Sequence, residues 1–324
     1  MSKAVRIHAH GGADAMRLED VEVGEPSPGQ VRLRQTAIGL NFIDVYYRTG
    51  LYPVPTMPAT LGVEGAGVVE AVGDGVTDIK VGDRVGYAAQ IGAYAEKRLI
   101  QADRLVKIPD GISDTQAAAM MLQGMTAQYL LRRTYAVKPG DTVLVQAAAG
   151  GVGLILCQWA KHLGATVIGT VGNEDKAALA KAHGCDHPVV YTREDFRHRV
   201  KEITKGNGVP VVYDSVGKDT FDRSLECLSP LGMMALFGQS SGKVPPFDLG
   251  MLAAKGSLFI TRPTLNTYVA RRADLIASAN ELFDVVKSGA VKIEVRQTYK
   301  LSEVQKAHQD LEGRKTSGST VILP

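Results

Sequence analysis

Six strand-like runs at nearly even spacing constrain this chain more tightly than any other feature. They fall at residues 142–146, 166–170, 188–191, 209–214, 233–237 and 257–261, with starts roughly 20 to 25 residues apart. Amphipathic helical stretches fill most of the gaps. Parallel strands need crossovers of about this length, so the alternation predicts a parallel sheet with helices on its faces. Six such strands make a full doubly wound α/β, or Rossmann, domain, expected over residues 126–262.

The flanking sequence has a different style. Residues 1–108 are strand-like and rich in turns: Val31-Arg32-Leu33-Arg34-Gln35 alternates like a half-buried strand, and short strands follow at 67–72 and 84–85 between Gly73, Asp74, Gly75, Gly82 and Asp83. This part predicts an irregular, mostly antiparallel β-barrel or sandwich. Ser113-Asp114-Thr115-Gln116 is a capping box that opens the first helix, and a second helix is expected over 126–135. Beyond Arg262-Pro263 come a helix at 271–287, a strand at 291–295, a helix at 302–313 and a strand at 319–323. They do not extend the six-strand pattern, so the tail is expected to complete the first domain, as residues 1–125 plus 263–324.

Apolar residues are 45% and charged residues 22% of the chain, which excludes disordered, fibrous and membrane classes. A net charge of +3 gives no electrostatic reason for a nucleic-acid or membrane partner. The basic bunch from Arg193 to Lys205 alternates with Glu194, Asp195 and Glu202, as on a solvated helix face. Cys157, Cys185 and Cys227 are far apart, and the chain starts without an apolar leader; both features fit a soluble cytoplasmic protein. His183 and His187 flank a helix end and would not share a face, so no metal site is expected there. Nor is there a G-x-S-x-G elbow of the hydrolase type.

Directly after the first of the six strands stands Ala147-Ala148-Ala149-Gly150-Gly151-Val152-Gly153, continued as a helix. The dinucleotide fingerprint G-x-G-x-x-G maps onto Ala148, Gly150 and Gly153, with alanine in the first position and Gly151 and Val152 between the other two. Alone, this would fit an ordinary tight turn. At the first strand of a doubly wound alternation it predicts a pyrophosphate cradle at a helix N-terminus. An NAD-preferring site carries an acid at the end of the second strand, but here Thr170-Val171-Gly172-Asn173 has none and Lys176 follows. That favours a 2′-phosphate, hence NADPH, although Lys176 also fits a plain surface helix.

Motifs running from end to end carry a resemblance. Gly39-Leu40-Asn41-Phe42-Ile43-Asp44, Gly62-Val63-Glu64-Gly65-Ala66-Gly67, Val81-Gly82-Asp83-Arg84-Val85, the loop 147–153, Val212-Tyr213-Asp214-Ser215-Val216-Gly217 and Phe237-Gly238-Gln239-Ser240-Ser241-Gly242 together resemble the medium-chain dehydrogenases/reductases, specifically the zeta-crystallin-like quinone oxidoreductases. The resemblance implies a GroES-like domain clasping the Rossmann domain, an active site in the cleft between them, and a homodimer paired through strand 257–261. Zinc-dependent relatives place cysteine where Asn41 stands and histidine where Val63 stands, so no metal is implied. Asn41, Asp44, Tyr46, Tyr52, Gln123 and Thr126 would line the nicotinamide and substrate space. Tyr46 or Tyr52 would donate to an oxygen gaining charge, or would simply wall an apolar pocket. Lys176, Tyr191 and Arg314 would surround the 2′-phosphate, with Gly172 and Asn173 beside the adenosine and Phe237 and Ser240 flanking the nicotinamide half.

Without zinc, reduction of a saturated ketone loses its usual oxyanion stabilisation, whereas quinones delocalise the incoming charge. The expected function is therefore a zinc-independent NADPH:quinone oxidoreductase. Two alternatives stand beside it: an NADPH-dependent reductase of alkenals or enones, and a recruited NADPH-binding structural or RNA-binding protein. The low net charge and the lack of an aromatic-rich basic stripe speak against RNA.

Overall fold

In the computed structural model, which describes all 324 residues, the alternating segment forms a six-stranded sheet in which every pair is parallel. Across the sheet the strands run His187–Val190, Thr166–Val171, Thr142–Val145, Val209–Asp214, Leu228–Leu236 and Phe259–Thr261. The order thus reverses between Thr142–Val145 and Val209–Asp214, the switch point at which doubly wound sheets open toward ligands. Helices cover both faces, which is why Val143-Leu144-Val145 and Val211-Val212 are apolar without alternation and fully buried. Leu144, Ile168, Val212 and Met234 pack with Phe196 and Leu225 in one core.

The basic bunch lies on and around the helix Phe196–Ile203, and its three arginines are paired. Arg197 meets Asp195 and Glu226, Arg199 meets Glu194 and Glu202, and Arg193 meets Glu174. The helix expected at 126–135 starts earlier, as Met121–Tyr129, and continues through a wider π turn over Leu130–Thr134. The last sheet strand begins at Phe259, because Gly256 and Ser257 both turn through positive φ.

The other unit is mostly antiparallel. Its larger sheet of seven strands is built around Gln30–Leu40, which pairs with Glu64–Val72, Lys97–Gln101 and the last strand, Ser319–Leu323. A three-stranded sheet of Met16–Val21, Ser2–Ile7 and Ala59–Thr60 accompanies it. Inward residues of both, among them Val5, Ile7, Val31, Leu33, Val85 and Ile322, form one core with Tyr94 from the segment between strands. The architecture is a GroES-like antiparallel unit plus a Rossmann unit.

Two segments differ from the boundaries read in the sequence. The units are Met1–Met125, Val269–Lys287 and Ile293–Pro324 on one side, Thr126–Tyr268 and Ser288–Lys292 on the other. Residues 263–268 stay with the parallel sheet because Tyr268 stacks on Tyr129 at 4.3 Å and its carbonyl accepts from Arg133 at 2.7 Å. Residues 288–292 return to it because the Gln158 amide brackets Lys292, accepting from its N–H at 2.8 Å and donating to its carbonyl at 3.2 Å. That capture displaces the strand expected at 291–295 to Val295–Lys300. No helix is long and apolar enough to cross a membrane.

Candidate functional site

The turn from Val145 into the helix Gly151–His162 is shaped by what its small residues exclude. A Cβ on Gly153 would sit 2.3 Å from the Ala147 carbonyl oxygen and 2.8 Å from Ala148 backbone, so only glycine lets the helix lie against the turn. At Gly150, the N-cap, a Cβ would meet only the Ala147 oxygen, at 3.2 Å. Glycine there keeps the outer face low beside helix N–H groups that have no intrahelical partner. Gly151 and Val152 are the first residues of that helix and remain partly accessible. The alanine at the first fingerprint position is accommodated from across the sheet. Ala148 is fully buried and donates its N–H to the Thr170 carbonyl at 2.9 Å; facing it is Gly169, where a Cβ would lie 2.6 Å from the Ala148 methyl. The cradle fits a pyrophosphate.

The second strand ends Thr170-Val171 with no acid, and Asn173 caps the next helix by accepting from the Lys176 N–H at 2.9 Å. Asn173 and Lys176 therefore share one helical turn. Gly172 lies under Tyr191, whose hydroxyl would be 3.2 Å from a Cβ there, and Tyr191 keeps 38% of its surface exposed. Glu174, in the same first turn, is paired with Arg193 at 2.9 Å. Arg314 belongs to the antiparallel unit, exposed in a left-handed turn (φ 58°) after the helix Val304–Glu312. Phe237 and Ser240 leave the end of Leu228–Leu236 and are pinned by their N–H groups to the carbonyls of Asp214, at 2.9 Å, and Ser215, at 3.1 Å. Sequence reasoning passed over Asp214 as a site residue. Its signal was an acid in an otherwise apolar strand end.

In the antiparallel unit, Asn41, Asp44 and Gln123 fall into one buried polar network. Asn41 precedes the helix Phe42–Thr49, and its N–H donates to Asp44 Oδ2 at 2.9 Å. Its side-chain amide donates to Glu64 Oε2 at 2.6 Å and accepts from Gln123 Nε2 at 3.1 Å; Gln123 in turn accepts from Ser319 Oγ at 2.8 Å. The Leu122 N–H donates to Glu64 Oε1 at 2.6 Å. Residue 39 must be glycine here, because a Cβ would lie 2.4 Å from the Glu64 carboxyl and 2.3 Å from the Ala118 carbonyl oxygen. Glu64, Ser319, Tyr94 and His308 were not singled out from sequence as site residues.

A second branch leads from Asp44 toward the surface. Tyr94 Oη donates to Asp44 Oδ2 at 2.8 Å and lies 2.9 Å from His308 Nε2; His308 Nδ1 lies 3.0 Å from Arg48 Nη1, and Arg48 grips Glu312 with two bonds of 2.8 Å. Arginine can only donate, so Nδ1 accepts and the proton of a neutral His308 sits on Nε2, facing Tyr94. Burial and the Arg48 charge push His308 down to about 3. Burial pushes Asp44 up to about 7 against the opposing bonds from Asn41 and Tyr94, and Glu64 up to about 8 against those from Leu122 and Asn41. Tyr46 is buried and meets Phe42 and Tyr52 at 5.6 and 5.2 Å between ring centroids, so the two tyrosines proposed as donors share one aromatic cluster. Thr126 is buried in the other unit.

Residues 27–110 match the alcohol dehydrogenase GroES-like domain family, and residues 151–276 match the zinc-binding dehydrogenase family. The chain is 51% identical to a quinone oxidoreductase of Pseudomonas aeruginosa, with 100% of each covered. It is 50% identical to a 2-haloacrylate reductase of a Burkholderia species, covering 100% of this chain and 99% of that protein. Among solved structures, the Escherichia coli quinone oxidoreductase complexed with NADPH superimposes with a TM-score of 0.98 at 48% identity, covering 99% of this chain and 100% of that one.

Proposed function

The chain belongs to the zeta-crystallin-like quinone oxidoreductases of the medium-chain dehydrogenase/reductase superfamily, and on that premise we propose that it passes reducing equivalents from NADPH to quinones without a metal. The observation that carries the cofactor half of this reading is the Gly150–Gly153 cradle next to a strand end with no acid, where Tyr191 lies over Gly172. NADPH in a relative of 48% identity supports the same reading.

Bound NADPH supplies the hydride. The chain's own residues do the rest. Ala148, Gly150, Gly151, Val152 and Gly153 would hold the pyrophosphate, while Gly172, Asn173, Lys176, Tyr191 and Arg314 would hold the adenosine and its 2′-phosphate. Phe237 and Ser240 would flank the nicotinamide half. Asn41, fixed through both ends of its amide, and Gln123 would orient the acceptor, Asp44 and Thr126 would serve as further binding residues, and Tyr46 or Tyr52 would donate to the acceptor oxygen as it gains charge. Metal independence rests on Asn41 and Val63 at the ligand positions, the first committed to Glu64 and Gln123 and the second an alkyl group. We further propose a cytoplasmic homodimer paired through the edge strand Phe259–Thr261, whose Phe259 is 56% exposed.

The 2-haloacrylate reductase relative favours a second reading, hydride delivery to an activated carbon–carbon double bond. One experiment separates the possibilities: NADPH and NADH consumption with quinones, enones, 2-haloacrylate and simple ketones, with and without a chelator. Quinone turnover with NADPH, unchanged by chelator, is expected. Chelator-sensitive ketone reduction would overturn metal independence, tighter NADH binding would overturn the 2′-phosphate assignment, and turnover confined to 2-haloacrylate or enones would select the second reading.

A further inference from the structure

Four fully buried polar side chains in the Rossmann unit belong to none of the groups assigned above. They are Thr170, Gln146, Ser224 and Asp214, each 1% exposed or less. They are joined in one direction. The Ala147 N–H donates to Thr170 Oγ1 at 3.3 Å, Thr170 Oγ1 donates to Gln146 Oε1, Gln146 Nε2 donates to Ser224 Oγ at 3.1 Å, and Ser224 Oγ donates to Asp214 Oδ2 at 2.9 Å. Asp214 is the sink of the series, accepting also from Thr220 Oγ1 at 2.7 Å and from the Val216 and Gly217 N–H groups at 2.7 and 3.1 Å. Bonds that run head to tail toward one carboxylate polarise one another, and a buried donor left without its acceptor is costly, so the series is stable whole and unstable cut.

Its two ends lie on different loops. One is Ala147, held at φ 55° at the start of the turn that enters Gly151–His162. The other is the segment after Asp214, which is laced to the segment after Leu236: Phe237 and Gly238 donate to Asp214 O, Ser240 to Ser215 O, Ser241 to Val216 O and Lys218 to Gly242 O, all at 3.3 Å or less. The bonded series crosses the switch point of the sheet, from the end of Thr166–Val171 past Thr142–Val145 to the end of Val209–Asp214.

We propose that Thr170, Gln146, Ser224 and Asp214 are positioning residues forming a buried strut, through which seating of the pyrophosphate of NADPH on the 147–153 turn fixes the loop 214–220 and, bonded to it, the loop 237–242, whose Phe237 and Ser240 would flank the nicotinamide half. The inference rests on the NADPH reading above and adds a dependence of one half-site on the other. It assigns no contact with cofactor to any of the four.

The test is hydrogen exchange on the full chain with 2′-phospho-ADP-ribose, a ligand lacking nicotinamide. In the parent protein the ligand is expected to slow exchange at 147–153 and also, several-fold, at 237–242. Thr170→Val removes the hydroxyl and is expected to retain the first protection and lose the second, while Thr170→Ser restores both. With NADPH, Thr170→Val should lower kcat about tenfold with little change in quinone KM, since the hydride donor is then held in poor register. Protection of 237–242 that persists in Thr170→Val, or that is absent from the parent while 147–153 is protected, overturns the strut. Absence of protection at 147–153 in the parent overturns the NADPH reading instead. Should Thr170→Val fail to fold, Gln146→Met cuts the series one bond further along and is read in the same way.

Discussion

Ala147 and Gly153 mark opposite limits of what one residue can tolerate in the same turn. Ala147 adopts φ 55°, a region that costs a non-glycine residue about 1 kcal/mol or more. Ala147→Gly is therefore expected to leave stability unchanged or raise it by up to about 1 kcal/mol, since strain relief outweighs the added freedom of the unfolded chain. A urea titration checks this, and a clear loss of stability would show that the alanine methyl makes contacts that outweigh its strain. Gly153→Ala moves the other way. Its new methyl meets backbone that cannot rotate aside, so a destabilisation of about 1 to 3 kcal/mol and at least tenfold weaker NADPH binding are expected by thermal shift and fluorescence titration. Tyr52→Phe removes a hydroxyl with little change in ring packing. If Tyr52 is the donor, kcat for quinone should fall about 10- to 100-fold with NADPH affinity unchanged, and Tyr46→Phe should then be nearly silent.

At the scale of elements, the buried network beneath the helix Phe42–Thr49 makes stability depend on pH in two opposed ways. His308 has a folded-state pKa near 3, below its ordinary value of 6.5, so its contribution is complete above about 6.5 and is lost as pH falls toward 3. Asp44 and Glu64 are raised, to about 7 and about 8 from 3.8 and 4.5, so the folded chain holds protons the unfolded chain has released. Their contribution is complete at low pH and is lost as pH rises through those windows. Between about pH 4.5 and 6.5 His308 offsets only one of the two carboxyl groups, so a shallow decline has already begun. Above that range only the carboxyl groups act, and the urea midpoint is expected to fall more steeply between about pH 6.5 and 8. Asp44→Asn should flatten that decline; a parent midpoint that climbs over this range would contradict the assignment. The pairings themselves were not legible in the sequence, because the partners are remote: Asn41 and Glu64 are 23 residues apart, Tyr94 and His308 214, and Arg48 and Glu312 264. The parallel strands were legible for the opposite reason. Strands buried on both faces are continuous apolar runs, and Val209–Asp214 lies where the residue pattern predicts, as does Thr142–Val145 to within one residue.

For the whole molecule, the edge strand Phe259–Thr261 is the feature with consequences beyond one chain. Its outer side has no strand partner, and Phe259, Leu231 and Leu249 are exposed large apolar residues. Phe259→Lys is expected to halve the sedimenting mass at micromolar concentration while leaving cofactor affinity intact; a parent chain that already sediments as a monomer would refute pairing through this edge. The unit boundaries show a limit of reading a chain in segments. Residues 291–295 alternate as a strand would, but Val291 is buried and Gln158, far away in sequence, holds Lys292 by its backbone. A side-chain amide that captures main chain leaves no mark in the composition of either segment.

The shared space between Ala148 and Gly169 has a consequence for how such a turn can change over time. There is room for one methyl group between the two strands, and it is occupied from the side of residue 148. Moving the alanine to the second strand demands two substitutions whose order is not interchangeable. Ala148→Gly taken first opens a small void and adds backbone freedom, at about 1 to 2 kcal/mol. Gly169→Ala taken first forces two methyl carbons to within 2.6 Å and also presses on the Cys185 sulfur at 2.7 Å. Even after Ala148→Gly the Cys185 sulfur still stands 2.7 Å from a methyl at residue 169, so the second step also requires that sulfur to move, and a lineage that has placed its methyl group at residue 148 tends to keep it there.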